Sequence, residues 1–383
     1  MEKLVAVKIL ENTKMSHEEF VDLSGISDQE FMETMEMLGH KVKSCKRLYD
    51  TNSKNTHDTV IDFEISRSRP DCQSLIGLSR EAAAAFNIPM KCHDPIIKGN
   101  SDELIYELLD VEVPAEWLCN RYSVRMVKHV KVTSSPKWLR DRLIASNIEP
   151  VNNIIDIINY IRIAYGQPIY AYDYQCISSG QIVVREAEEG EIFTAPDGKQ
   201  YRLQAGMLVV ADDTNLISIA GIIGSAGSGI TADTSTIVIE SANYNCTSIC
   251  QTSRELAIQT ATSIQFEQAP DPMLTIPALE RACELIEQLQ CGEVLDGIID
   301  VLNYVPEPVT IEMDVTKIND LLQTNLSAEN ICAYLKRLDI SIDGDTILIP
   351  SWRPDLSTIA DIATEIGRIH GLVDKKRTVE ALL

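Results

Sequence analysis

Side chains equipped for chemistry are thinly spread in this chain, and their spacing excludes more than it assigns. Ten cysteines are scattered without the pattern of a disulfide-stapled scaffold. The closest pair, Cys246 and Cys250 in CTSIC, has helical spacing but no second pair nearby and no His-x-x-x-His; Cys92-His93 stands alone. A structural zinc site needs four grouped ligands, so no metal or other cofactor is expected, and the thiols are read as reduced and mostly buried. The glycine-rich run GIIGSAGSG (221–229) matches neither dinucleotide nor Walker spacing, so it is not a phosphate cradle. Its glycines suit a tight strand connection or a backbone that approaches a ligand closely. Glu240, in STIVIESA, reads as a strand-end carboxylate facing solvent. Asn159 reads as a turn or cap asparagine and Thr260 as a helix-surface threonine. Spacing alone gives none of these three a chemical role.

The elements that must position these residues read as follows. Residues 1–95 form an α+β domain: Ser16, Glu18 and Glu19 open an amphipathic helix, EEFVDLSG, and ISDQEFMETMEMLGH gives a second with Asp28 near its start. TVIDFEIS (59–66) alternates and is β-branched, the pattern of a strand. GLSREAAAAFNIPM is a strong helix ending before Pro89, and DTNSKNTH (50–57) is a polar loop. Residues 96–119 are polar and acidic and read as a linker. Residues 120–303 mix strands (YSVRMVKHVKV, QIVVREA, MLVVADD, STIVIESA) with helices at 136–146, 247–258 and 272–290. The last segment, 304–383, reads β-α-β-β-α and forms a small α/β domain. The class is therefore α+β and multidomain, with mixed sheets and no internal repeat.

Composition sets limits on partners. A hydrophobic fraction of 45% and a charged fraction of 24% are those of a globular chain. The N-terminus MEKLVAVKILENTKMS mixes charges into a short apolar run, and no stretch approaches the ~20 apolar residues a bilayer requires. A cytoplasmic protein without a membrane partner is expected. Lys and Arg number 34 against 57 Asp and Glu, a net charge of -23. Nucleic-acid affinity comes largely from cations that release counterions from phosphates. A chain this acidic is a poor stand-alone RNA binder, so any RNA contact must use a local basic patch or a partner subunit.

Four stretches follow one another in the chain: VIDFEISRSRPDCQSLIGLSREAAAAFNIPM, NIIDIINYIRIAYGQPIYAYDYQ, ISIAGIIGSAGSGITADTSTIVIESANY and IPSWRPDLSTIADIATEIGRIHGLVD. In that order they resemble the N-R-x-D-x-x-S-x-x-G-x-x-R-E element, the D-V-T-N-Y-x-x-x-E-x-G-Q-P-x-H-A-F-D signature, the A-x-A-G-x-x-G-G turn with its strand ending in Glu, and the P-S-W-R-x-D motif of bacterial phenylalanyl-tRNA synthetase beta chains. The resemblance spans nearly the whole chain. It implies an editing-type domain at 120–303, which in the family hydrolyses tyrosine wrongly attached to the phenylalanine tRNA, and a small winged-helix-like domain at 304–383. Helix 358–370 of that domain carries few cations and is expected to pack against a neighbour. Implied partners are the synthetase alpha chain and tRNA. The oligonucleotide-binding barrel of bacterial members finds no room in residues 40–60. The chain also stops near residue 375, where the family continues into a catalytic-like module and an anticodon-binding domain. Since the family's ATP and phenylalanine site is on the alpha chain, no adenylation chemistry is expected from this chain alone. A short natural paralogue is favoured over an expression fragment.

By the same resemblance, Glu240 matches the Glu that accepts the tyrosine hydroxyl, and Gly221 and Gly224 match the turn lining the pocket. Asn159 and Thr260 match pocket residues that contact the aminoacyl group. Departures cluster at the same place. Tyr170 stands where the family has His, and a phenol does not accept a proton at pH 7 as an imidazole does. Ile158 replaces a Thr, Thr262 replaces the small Ala that makes room for the tyrosine ring, and Gln265 and Gln268 stand in the arginine-bearing motif R-Y-E-R-G-V-D-P. LAIQT replaces H-G-L-H-T. Three readings follow: a beta-chain-like translation factor with its editing groups partly replaced, a non-catalytic paralogue binding an aromatic amino acid or related small ligand, or a deacylase acting in trans. All of them require Glu240, Tyr170, Asn159 and Thr262 to meet at one cavity.

Overall fold

The computed structural model describes residues 4–9, 17–49, 57–91 and 93–380. They fall into two compact units, one of residues 94–305 and one that joins residues 1–93 with 306–383. Both ends of the chain thus share a unit, whereas the sequence reading gave each its own domain.

In the N-terminal segment, β1 (Leu4–Ile9), β2 (Lys41–Tyr49) and β3 (His57–Glu64) form an antiparallel sheet with β3 central. The helix expected from Ser16 is short, α1 (His17–Phe20), because Val21 leaves it to bridge Met90; Ser16 itself lies outside the described residues. α2 (Asp28–Met37) starts where the Ser27 side chain accepts the Glu30 amide, and it buries Phe31 and Met35. The loop expected at 50–57 falls almost entirely outside the described residues, as does Cys92. α3 (Leu75–Phe86) is capped by Ser74 and ends before Pro89 as expected, at Asn87, which takes the left-handed conformation (φ 54°). At its start, a Cβ on Gly77 would lie 1.9 Å from the Asp71 carbonyl oxygen, so only glycine lets the helix meet the preceding turn.

In the unit 94–305, β4 (Asn100–Leu104) and β5 (Asp110–Glu112) lie inside the stretch read as a linker. The acidic composition concealed a short alternation: Val111 and Val113 point inward between exposed acids. β6 (Cys119–Lys128) leads to α4 (Lys137–Ala145) and α5 (Asn153–Tyr165), and then to β7 (Ile169–Asp173). In residues 153–165 the polar positions Asn153, Asp156, Asn159 and Arg162 recur every third residue among apolar ones, and the extent of the helix follows from its ends. The caps decide it: Asn152 accepts two amides at the start and Gly166 (φ 75°) ends it. β8 (Gln181–Glu186) precedes the hairpin β9 (Ile192–Thr194) and β10 (Gln200–Arg202). β11 (Leu208–Ala211), β12 (Leu216–Ile219) and β13 (Ile223–Gly224) follow, then β14 (Ile237–Tyr244). α6 (Cys246–Leu256), α7 (Ala261–Phe266) and α8 (Thr275–Gln288) lead to β15 (Glu293–Asp296) and β16 (Ile299–Leu302).

These strands make two sheets. One runs β4-β15-β6-β14-β7 with β16 also on β6, and the other runs β13-β12-β11-β8-β5. Val124, Met126, Val238 and Ala242 of the first share one apolar core with Ile182, Val184, Val210 and Ile219 of the second. β14, paired to β6 and β7, is buried at every position, as a strand between a sheet and a helix layer must be. On its far side Arg125 of β6 meets Glu280 of α8.

The C-terminal segment contains β17 (Thr310–Glu312), α9 (Val315–Leu322), α10 (Ala328–Arg337), β18 (Ser341–Asp343), β19 (Thr346–Leu348) and α11 (Ile359–Glu380). Three helices with a small sheet fit the winged-helix-like expectation, with one more helix, α9, than was read. Asp314 caps it. Among the described residues no helix is long and apolar enough to cross a membrane.

The two ends of the chain are tied by buried charge. Glu81 of α3 is 3% exposed and accepts hydrogen bonds from Arg69 (2.6 Å) and Arg368 of α11 (2.8 Å), with His40 Nε2 at 3.2 Å. Arg368 also bonds Glu365, which bonds Arg353, which forks onto Asp355. Burial raises the Glu81 carboxyl, but Arg368, His40 and Arg69 together hold it well below the usual carboxylate range. The motifs SRPDC, GLSRE, PSWRPD and TEIGR therefore converge on one ionic network. His40, Cys72 and Glu81 come close enough to share an ion, yet the two guanidiniums already hold the carboxylate. Replacing Glu81 with Gln removes the anion that Arg69 and Arg368 share and leaves them with Asp71 and Glu365 alone. We expect a loss of about 3–5 kcal/mol in urea unfolding, and a change under about 1 kcal/mol would show that the network does not hold the unit together.

Candidate functional site

Side chains alternate across a strand, so the residues sharing a face with Glu240 follow from the register. Along β14 they are Val238, Ala242 and Tyr244. Across the sheet, Glu240 pairs with Tyr170 of β7 and Val124 of β6. Tyr172 and Tyr122, each two residues from such a partner, share this face. It looks into the core between the two sheets.

Glu240 is 1% exposed, not solvent-facing as its strand-end reading held. Its Oε2 accepts hydrogen bonds from the hydroxyls of Tyr122 (2.9 Å) and Tyr172 (2.8 Å), and its Oε1 accepts one from Tyr244 (2.7 Å). Tyr172 also lies 3.1 Å from Ser218 Oγ of β12. Burial pushes the Glu240 carboxyl up, and the phenols of Tyr244, Tyr172 and Tyr122 pull it back without cancelling the rise. Burial and the carboxylate in turn drive Tyr122, Tyr172 and Tyr244 well above the ordinary phenol value. The donors are neutral, so one buried negative charge is shared among hydrogen bonds rather than paired with a cation.

Tyr170 stacks on Tyr172, with ring centroids 6.0 Å apart and planes 2° from parallel. Its hydroxyl is buried and makes no hydrogen bond of ordinary geometry. Burial first, then Glu240, raises its pKa; Thr262 and the Arg162 guanidinium act in the opposite direction. Thr262 is thus close enough to influence the phenol. Three residues away, Gln167 is fully buried; its amide nitrogen donates to the Ala242 carbonyl (2.7 Å) while its Oε1 has no partner.

The remaining expected residues are placed as follows. Thr260 is not on a helix surface: it caps α7, accepts the Ser263 amide and donates to the Ile222 carbonyl (2.9 Å), which ties α7 to the glycine turn. Asn159 and Ile158 are half-buried within α5, so Asn159 is neither a turn nor a cap residue; Asn152 caps that helix. No contact brings these two residues to Glu240. Gly221 (φ 69°) is tight against protein: a Cβ there would lie 2.9–3.0 Å from Phe266, Ile249 and Tyr244. Gly224 lies in β13 opposite Ser218, the neighbour of Tyr172. Gln265 is buried and donates to the Arg162 carbonyl. A surface hollow of about 550 Å³ in the same unit is lined by Lys98, His129, Lys131, Glu287 and Glu293 among others, and by none of the expected site residues.

Glu240, Tyr170 and Thr262 therefore come together, and Gly221 and Thr260 brace the walls. Tyr122, Tyr172 and Tyr244 were missed. The signal for two of them was in hand: Tyr172 and Tyr244 stand two and four residues from Tyr170 and Glu240, on the same faces once strands are assumed. A test of the carboxylate follows from its raised pKa. A buried acid whose folded pKa lies above 4.5 gives stability that is present below that value and lost as pH rises through the folded pKa. Against Glu240→Gln, which has no such titration, the parent chain should lose urea stability progressively above pH 4.5. A constant difference across that range would mean the carboxyl titrates normally.

Two family models match the chain: the B3/4 domain over residues 118–291 and the tRNA synthetase B5 domain over residues 311–372. The phenylalanine–tRNA ligase beta subunit of Clostridium acetobutylicum is 37% identical over 351 residues, 91% of this chain and 44% of that protein. That of Clostridium tetani is 37% identical over 322 residues (82% and 40%), and that of Geobacillus kaustophilus 35% over 319 residues (82% and 40%). The chain spans less than half the length of these relatives. A looser structural likeness, TM-score 0.49 at 15% identity over 90% of this chain and 95% of the other, is to an N-terminal fragment of the phenylalanyl-tRNA synthetase beta-subunit from Pyrococcus horikoshii. With a B3/4 domain, a B5 domain and this identity along most of its length, the chain is a homologue of the phenylalanine–tRNA ligase beta subunits.

Proposed function

We propose that this chain is a phenylalanyl-tRNA synthetase beta-subunit-like protein whose B3/4 module holds an aromatic amino acid, free or tRNA-linked, without hydrolysing it. One observation carries the second half of this reading. Hydrolysis of an aminoacyl ester needs a group that accepts a proton near neutrality or aims a water. Where the family resemblance calls for His, Tyr170 presents a buried hydroxyl whose pKa is raised by burial and by Glu240. It keeps its proton at pH 7. Cys119, which also feels Glu240, is held protonated by burial. Glu240 is engaged by three phenols.

The first half is supported by unmet polar groups. Tyr170 hydroxyl and Gln167 Oε1 are buried and make no hydrogen bond of ordinary geometry, and in a folded protein such groups ordinarily find a protein or water partner, a place that a ligand's polar atom can take. Thr262, close to Tyr170, stands where the family resemblance calls for a small Ala. An alpha chain and tRNA are the partners that go with this reading, in the cytoplasm. With a net charge of -23, RNA contact depends on cations the partner supplies.

The test is an assay of tyrosine-charged phenylalanine tRNA with the purified chain, alone and with an alpha chain. We expect no acceleration over the uncatalysed rate, and micromolar to millimolar binding of L-phenylalanine or L-tyrosine by calorimetry. Rapid deacylation would instead support a hydrolase acting in trans. Tyr170→His should introduce a base beside Glu240 and raise deacylation by roughly 10²-fold or more. An unchanged rate in that folded variant would remove Tyr170 from the position of the missing base.

A further inference from the structure

A carboxylate offers about four acceptor positions on its two oxygens. At Glu240 the chain fills three of them: Tyr122 and Tyr172 take both positions on Oε2, and Tyr244 takes one on Oε1. A site tells a hydroxylated ring from a plain one when the plain ring leaves a buried acceptor unpaired. Here each of the two oxygens already has a donor, so a plain ring leaves neither of them unpaired. Two of the three phenols also face the expected pocket lining. Tyr172 stacks on Tyr170, and the edge of Tyr244 packs against Phe266 (centroids 5.2 Å apart) and against Gly221.

We propose that Tyr172 and Tyr244 determine the specificity of this pocket: their hydroxyls fill the carboxylate from inside the protein, so a ligand ring is selected by shape and not by its hydroxyl. This rests on the reading of the B3/4 module as an amino-acid pocket. It also ranks the two residues. Among the described residues Tyr244 is the one donor to Oε1, so its removal frees an entire oxygen, whereas loss of Tyr172 leaves Tyr122 on Oε2.

Calorimetry with L-tyrosine and L-phenylalanine should give the parent chain affinities within about 3-fold of each other. Tyr244→Phe should prefer tyrosine by about 10-fold or more, and Tyr172→Phe by less. A parent chain that already prefers tyrosine 10-fold would overturn the proposal. A second measurement is independent of amino-acid binding. Tyr244→Ala leaves a slot the size of the lost side chain with the carboxylate at its base, and p-cresol and toluene differ only in the hydroxyl. p-Cresol should raise the melting temperature of this variant clearly more than toluene does, and neither should shift the parent. Equal shifts would overturn the proposal, since the slot would then be merely apolar. Should Tyr244→Ala fail to fold, Tyr172→Ala serves for the same comparison. If the parent binds neither amino acid, the pocket reading fails while the cresol comparison still decides whether the phenols fill the carboxylate.

Discussion

The central constraint of the unit 94–305 is a carboxylate sealed between two sheets with no cation among its hydrogen-bond partners. An ionised Glu in such a place is tolerated only when hydrogen bonds replace the water it lost. Glu240 obtains them from three tyrosines on three adjacent strands. That requirement fixes much else. β14 must lie between β6 and β7 in a register that puts Tyr122 and Tyr172 diagonally across from the carboxylate on the same face, and Tyr244 must return from the end of the same strand. Gly221 is then required because any side chain there would press on Tyr244 and Phe266. Thr260, by capping α7 and holding the Ile222 carbonyl, keeps that turn in place.

The other unit solves the same electrostatic problem differently. Glu81, Glu365, Asp71 and Asp355 are neutralised by Arg69, Arg353 and Arg368 in short, partly forked contacts. Full ionic pairing fixes geometry, and it joins the first and last segments of the chain into one unit. It leaves little for a ligand, because each charge is already answered. In the segment 358–370, Arg368 is spent on Glu81 and Glu365. At Glu240 the pairing is by neutral donors, so the site keeps a negative charge and a carboxyl with a raised pKa. The two clusters are both buried and polar, and they differ in that the first is held by guanidiniums and the second by neutral phenols.

Functionally, what was kept and what was lost lie side by side. In the proposed reading the strand frame, the glycine turn and the carboxylate persist, while a buried phenol stands where the family resemblance calls for a base. Tyr170 stacked on Tyr172 makes an aromatic wall in place of a proton acceptor. A frame of this kind can recognise shape without accelerating hydrolysis, which is the functional conclusion its chemistry favours.

By itself the sequence determined the class, most strands and helices, and the candidates Glu240, Tyr170 and Thr262. These are carried by local signals: period-2 alternation, caps such as Ser27 and Ser74, and motifs whose order along the chain is readable. It misjudged residues 96–119, where acids outnumber the two inward valines. Asn159 and Thr260 were misread for a related reason: whether a polar residue caps, lines or merely rides on a helix depends on where that helix starts. Only the tertiary structure decided that Glu240 is buried, that three phenols hold it, and that Arg69, Glu81 and Arg368 meet across almost three hundred residues of chain. Registers between distant strands and the pairing of distant charges are set by packing of the whole core. No local stretch of residues contains that information.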